Sequence, residues 1–252
     1  MKRFLYYVSV LALCISCSQD VKKKPRAGTK KKDEHVKDGI TRLYYSDGKL
    51  RAEISMKGGL RNGLATDYYT NGQKHLVINY VNNKNEGLVT KYYDNGQVDE
   101  ETMYKDGKMH GLKKSYRKDG SLSAEVTYHN GLPCAGLKEY SPDGKLRKDL
   151  PKIVVEGIDK MLTENKYILR LRMSDNSTNV TFYRGKLTGG CLDDNNVREI
   201  YRGKTKGVAE LDFYIGPGMF VMEEIPLIAK VKTPRGNYYV TQINHNLAIE
   251  YR

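Results

Sequence analysis

Tyrosine returns at one fixed interval through the middle of the chain: Tyr44, Tyr68, Tyr92, Tyr116 and Tyr140 stand 24 residues apart. Glycine keeps the same step at Gly48, Gly72, Gly96, Gly120 and Gly144, each preceded by Asp or Asn. Two further series run in register with them. One is Met56, Tyr80, Tyr104 and Tyr128; the other is Gly39, Gly63, Gly87 and Gly111, with Ala135 in the fifth place. Such a period marks a repeat architecture, in which each unit gains stability by packing on its neighbours.

Each unit reads as a hairpin. Asp-Gly or Asn-Gly suits the two positive-φ positions of a type I′ turn, the strongest short hairpin signal. A second, looser turn is expected at Gly58-Gly59, Asn82-Asn83, Asp106-Gly107 and Asn130-Gly131. Between the turns apolar residues alternate with period two: Leu50, Ala52, Ile54 and Met56 fall on one face, and Leu122, Ala124, Val126 and Tyr128 repeat the pattern. The fold class is therefore all-β, with five 24-residue hairpin units over residues 38–148 forming an elongated, single-layer antiparallel sheet. The tyrosines at 44, 68, 92, 116 and 140 should form a structural ladder along one face. A second set, Tyr45, Tyr69 and Tyr93, points the other way and gives place to Arg117 and Ser141. Less needed for packing, this set is the candidate interaction surface.

Residues 86–97 (Glu-Gly-Leu-Val-Thr-Lys-Tyr-Tyr-Asp-Asn-Gly-Gln) and 104–111 (Tyr-Lys-Asp-Gly-Lys-Met-His-Gly) resemble the MORN-repeat variant family, named for membrane occupation and recognition nexus. The YD-repeat family of secreted toxins shares tyrosine and glycine turns but lacks the second turn. The fifth unit departs from the pattern: Ala135 replaces Gly, Gly136-Leu137 are shifted by one, and Pro142 enters the turn. A proline cannot donate to a sheet ladder, so the array is expected to end there. Exported bacterial proteins with such repeats resemble the YwqK-like antitoxin group, a resemblance that implies neutralisation of a toxin.

The N-terminus argues for export. Lys2 and Arg3 precede an apolar run over residues 4–15, too short to span a bilayer. Ile15-Ser16-Cys17 resembles a bacterial lipobox, which makes residues 1–16 a lipoprotein signal peptide and Cys17 the lipidated residue. Residues 17–37 follow as the lipidated cysteine and a basic, flexible tether. A conventional cytoplasmic antitoxin conflicts with such a signal; an exported one could act only as an envelope immunity protein.

The formal net charge of +13 raises the question of nucleic acid. Residues 38–148 hold 18 basic and 14 acidic groups, and residues 149–252 hold 15 and 13. The excess lies mostly in the leader and tether rather than on a domain face, so no nucleic-acid partner is expected.

After Leu150-Pro151 the 24-residue period stops. Residues 149–252 read as short strands near 153–155, 167–173, 180–184, 197–201, 208–215, 227–232, 238–243 and 247–251. Turn signals at Gly216-Pro217-Gly218, 234–237 and His245-Asn246 separate them, and a small β-sandwich is expected.

Little in the chain carries chemistry. Cys134 and Cys191 are the two cysteines outside the leader and lipobox, and in an oxidising envelope they could pair as a disulfide or remain buried thiols. The histidines 35, 75, 110, 129 and 245 lack metal-ligand spacing, and Asp193-Asp194-Asn195-Asn196 reads as a turn. No catalytic residue, metal or cofactor is expected. The expectation is a non-enzymatic outer-membrane lipoprotein of the cell envelope, a repeat scaffold for an envelope or surface protein, held to the membrane through its lipid. A glycan stacking on Tyr69 and Tyr93, or an exported toxin, is the alternative partner.

Overall fold

A computed structural model describes Asp33, residues 35–201, Gly203 and residues 205–251. The signal segment, Cys17 and the tether up to residue 32 lie outside the described residues. The described residues fall in one compact unit.

The repeats build β1 (Gly39–Tyr44), β2 (Leu50–Lys57), β3 (Leu60–Tyr68), β4 (Lys74–Val81), β5 (Lys84–Asn85), β6 (Gly87–Tyr92), β7 (Val98–Lys105), β8 (Lys108–Tyr116), β9 (Leu122–His129), β10 (Leu132–Pro133) and β11 (Lys138–Glu139). They pair as one 11-stranded antiparallel sheet in the order β1-β2-β3-β4-β6-β7-β8-β9-β10, with β5 also on β4 and β11 also on β9. Each long strand pairs with the next long strand, as the constant period requires.

The two turns of a unit exchange the geometries expected of them. In the first turn only the glycine has positive φ, 83° at Gly48 and 85° at Gly72; Asp47 and Asn71 do not. The Tyr45 N–H donates to the Lys49 carbonyl (2.8 Å) and the Gly48 N–H to the Tyr45 carbonyl (2.9 Å). This closes a three-residue loop, a type I turn followed by a left-handed glycine. The Asp47 carboxylate accepts from the Lys49 N–H at 3.0 Å, and Asn71, Asn95 and Asp119 repeat that contact. Their side chains thus brace the turn as acceptors. The type I′ signature falls at the second turn, where both central residues of Gly58-Gly59, Asn82-Asn83, Asp106-Gly107 and Asn130-Gly131 have positive φ.

Beside each first turn the returning strand carries one extra residue. Tyr44 opposes Leu50 and Leu43 opposes Ala52, which leaves Arg51 in a bulge. His75, Asp99 and Ser123 take the same place in the next three units.

The fifth unit ends the array for a different reason from the one its proline suggests. Its first turn survives, with the Ser141 N–H bonded to the Lys145 carbonyl and the Gly144 N–H to the Ser141 carbonyl, both at 2.9 Å. Pro142 occupies the turn position that needs a fixed negative φ and no N–H. The leading strand is what fails: it is split into β10 and β11, two residues each, which pair with β9 on either side of Cys134.

The C-terminal part contains β12 (Ile153–Lys160), a single-turn α1 (Met161–Glu164), β13 (Lys166–Met173), β14 (Val180–Gly185), β15 (Val197–Glu199), β16 (Ala209–Tyr214), β17 (Phe220–Lys232) and β18 (Tyr238–Glu250). Sheets β12-β13-β16 and β15-β14-β17-β18 face each other as a sandwich. Leu169, Leu171 and Met173 from one sheet meet Phe182, Ile225, Leu227, Ala229, Val231, Leu247 and Ile249 from the other in a single buried cluster.

Two expectations here are corrected. Strand β17 begins seven residues before the expected 227, and β18 runs unbroken through His245-Asn246, where a turn was expected. Ile225 pairs with His245 and Glu224 with Asn246, so the long hairpin carries the polar pair on its ladder. Pro226 hid the extension. The Lys232 N–H donates to Asn179 on the β14 side, and alternation puts the missing N–H of Pro226 on that same side. The ladder with β14 stops there, at Arg184 opposite Leu227. Pro226 is tolerated because it marks the end of that pairing.

Cys134 and Cys191 form a disulfide with an S–S distance of 2.04 Å, in a short antiparallel bridge between the array and the sandwich. It closes a loop spanning a sequence separation of 57. Reduction is expected to lower stability by about 2–4 kcal/mol, the typical contribution of a disulfide. Urea denaturation with and without reductant measures it, and superimposable curves would show that the bridge contributes nothing.

Candidate interaction surface

The second tyrosine set links the units. The hydroxyls of Tyr45, Tyr69 and Tyr93 donate to the carbonyls of Tyr68, Tyr92 and Tyr116 at 2.6, 2.7 and 2.8 Å. In the fourth unit the Arg117 guanidinium donates to the Tyr140 carbonyl instead. The three tyrosines are half-buried, so the set is less free than its alternation suggests. Arg117 looked like a loss from the series because its shared property is a donor of sufficient reach rather than an aromatic ring.

The first set uses its hydroxyls in the opposite direction. Tyr68, Tyr116 and Tyr140 donate to Glu53, Glu101 and Glu125 of the preceding unit at 3.3, 2.7 and 3.0 Å. Burial, reinforced by the Glu101 contact, pushes the Tyr116 hydroxyl up to about 12, which keeps it a donor at physiological pH. Tyr93→Phe removes one strut and is expected to cost about 1 kcal/mol. Tyr201→Phe, at a ring that is 90% exposed, should cost almost nothing; equal effects in thermal denaturation would contradict the strut role.

Backbone groups stitch the turns as well. The N–H groups of Asn83, Gly107 and Gly131 reach the carbonyls of Arg61, Asn85 and Met109 in the preceding unit, and that of Gly59 reaches Lys37, just before the first unit. On the opposite border Asn71 and Asn95 donate to the carbonyls of Asp94 and Lys118.

The bulge residues form a polar row with the residues that precede the first tyrosine of each unit. Lys91 and Asp99 are in contact at 2.6 Å, the Ser123 hydroxyl donates to the Ser115 carbonyl, and Glu139 and Arg147 approach to 3.4 Å. The acidic run 99–101 is thereby divided: Asp99 meets Lys91, Glu100 meets Lys113 and Glu101 meets Tyr116.

Between the first two units the row opens into a cleft of about 270 Å³, lined by Leu43, Tyr45, Arg51, Ala52, Asp67, Tyr68 and His75. Burial raises the Asp67 carboxyl above its ordinary value, against the opposing pull of His75 and Arg51. A carboxyl whose folded pKa exceeds its unfolded one costs stability while ionised. Asp67→Asn is therefore expected to raise urea resistance at neutral pH. The gain should shrink as pH falls through the raised folded-state value and vanish below the unfolded carboxyl's pKa, where both states are protonated; a gain independent of pH would contradict this.

Another row crosses the array: Ile40, Leu64, Leu88 and Leu112 share one repeat position and are 45, 55, 47 and 39% exposed. Met103, 40% exposed, lies opposite Leu88. Alternation along the leading strands places these residues on the face of Tyr44, Tyr68, Tyr92 and Tyr116, so the sequence pattern reads them as packing residues.

The histidines do not assemble a metal centre. The rings of His110 and His129 lie 4.8 Å apart on neighbouring strands, and His75 packs on Tyr69. Among the described residues no group of three or more metal-ligating side chains converges. The 193–196 segment is a turn, with the Asn196 N–H bonded to the Asp193 carbonyl at 2.9 Å.

A ladder of stitched hairpins with repeating surface rows is a repeat scaffold by construction. Residues 37–57, 61–82, 85–106 and 109–130 match the family described as MORN repeat variant. No matched segment covers the fifth unit, in keeping with its divided strand. No curated protein matches the chain. MORN repeats are generally modules for protein or membrane interaction, and the family is typically non-enzymatic.

Proposed function

We propose that the chain is a non-enzymatic interaction scaffold of the cell envelope, anchored by lipid on Cys17, whose repeat sheet binds an envelope or surface protein. The observation that carries this reading is the row Ile40, Leu64, Leu88 and Leu112. Four large apolar side chains recur, exposed, at one position of successive units, about 9.6 Å apart at two strand spacings. Contiguous exposed apolar surface costs free energy in water and marks places where another molecule is met. The repeat match supports the reading, as does the lipobox-like run before Cys17.

Photo-crosslinking from positions 64 and 88 in intact cells tests it. A discrete adduct is expected, lost in the Leu64→Glu, Leu88→Glu variant; absence of any adduct from the unaltered chain contradicts the reading. Cys17→Ser should abolish incorporation of a fatty-acid label, and retained label would remove the anchor.

A further inference from the structure

The chain contains one occupied copy of the groove that lies open at Asp67. Glu139 stands three repeat steps after Asp67, and each opposes an alanine on the preceding strand, Ala124 and Ala52 respectively. Tyr140 corresponds to Tyr68, Arg117 to Tyr45 and Arg147 to His75. At the Glu139 copy the turn between β17 and β18 fills the groove. The Thr233 hydroxyl and the Asn237 carboxamide both donate to Glu139 Oε1 at 2.8 Å, and the Arg235 guanidinium donates to the Tyr140 carbonyl at 2.7 Å.

The Asp67 copy offers the same acceptors without that turn. Among the described residues no hydrogen-bond donor reaches the half-buried Asp67 carboxylate. The Tyr68 carbonyl accepts the Tyr45 hydroxyl, and a carbonyl oxygen has two lone pairs. The two intervening copies are closed, by the Lys91–Asp99 ion pair and by the Ser123 to Ser115 hydrogen bond. The open copy is thus particular to the junction of the first two units.

We propose that the Asp67 cleft docks a β-turn of a partner protein, one that presents a hydroxyl and a carboxamide to Asp67 and a guanidinium to the Tyr68 carbonyl. The inference deepens the scaffold reading and rests on it, by naming a second contact and its chemistry. The partner's turn repeats what residues 233–237 do at Glu139. Arg51 and His75 flank the carboxylate, so the turn supplies donors without a large excess of positive charge. Hydrogen bonds to a partly buried carboxylate are the stronger kind, which suits a contact of few residues.

The test uses the full mature chain and a cyclised peptide of residues 231–239, followed by backbone NMR shifts. Shifts are expected along β2, β3 and β4 around Asp67. Affinity should fall about tenfold or more in Asp67→Asn, and again when the peptide carries Thr233→Val and Asn237→Ala. The double variant Asp67→Lys, His75→Asp copies the closed Lys91–Asp99 junction. It should keep the fold, judged by its unchanged spectrum elsewhere, and lose the peptide. No binding to the unaltered chain, equal binding to Asp67→Asn, or equal shifts with free arginine and asparagine would each overturn the proposal. Failure of the peptide while the adduct from positions 64 and 88 persists removes the cleft alone and leaves the scaffold reading standing.

Discussion

Glu139→Ala is expected to destabilise the protein by about 3–5 kcal/mol, the usual cost of breaking a buried charged contact by removing one partner. The residue is 1% exposed. Its carboxylate accepts from Thr233 and Asn237 while Arg147 approaches its other oxygen. Truncation leaves three donors without their acceptor at the junction of array and sandwich. Glu139→Gln keeps an oxygen for Thr233 and Asn237 but loses the charge and turns an NH2 donor in place of an acceptor toward Arg147, so a smaller cost of about 1–3 kcal/mol is expected. Glu224→Ala, at an exposed glutamate, serves as the reference in urea denaturation. If Glu139→Ala costs no more than that, the polar latch does not hold the junction.

The second large effect is expected in the sandwich core. Leu171 is fully buried between Val155 and Ala209 on its own sheet and packs in one cluster with Ile225, Leu227 and Leu247 of the other. Leu171→Ala should cost about 2–5 kcal/mol through lost transfer energy and the cavity left behind. The first three units of the array have no comparable residue. Where it meets the sandwich, Val126, Tyr128 and Leu137 form a small cluster; away from that junction its most buried side chains are small, such as Ala52 and Thr102, and its stability is carried by cross-strand pairs and stitched turns. Leu64→Ala, on the exposed row, should therefore change stability by less than about 0.5 kcal/mol. A loss at Leu64 as large as at Leu171 would mean that the row is packing rather than surface.

The repeat was legible because period and alternation are properties of the chain itself. Tyr44 and Tyr68, Gly48 and Gly72 declare hairpins before any coordinates. Turn geometry was less legible. Asp47-Gly48 and Asp106-Gly107 are the same dipeptide, yet the first sits in a three-residue loop and the second in a two-residue one. The difference lies in the bulge at Arg51 and in the side-chain acceptor of Asp47. Likewise His245-Asn246 reads as a turn, and the expected strand 227–232 starts just after Pro226, although both sites lie in strands whose partners pair the polar residues or spare the missing N–H.

The surface was read only in part. Tyr45, Tyr69 and Tyr93 were visible as a series, but the carbonyls that hold their hydroxyls lie 23 residues away and appear only once the units stack. The exposed leucines share the face of the tyrosine ladder by alternation, a pattern that reads as packing. Asp67 carries no local signal at all. Its meaning comes from Glu139, and that link requires both the repeat register and the place where the β17–β18 turn lands.

Everything rests on the stacking of successive units at a constant spacing. Spin labels at Thr70→Cys and Lys118→Cys, on first turns two units apart, measure that spacing by pulsed electron resonance. Four strand spacings predict a single narrow distance near 19 Å between the labelled backbones. A broad distribution, or a distance well above about 30 Å, would contradict the ladder and with it both rows that cross it.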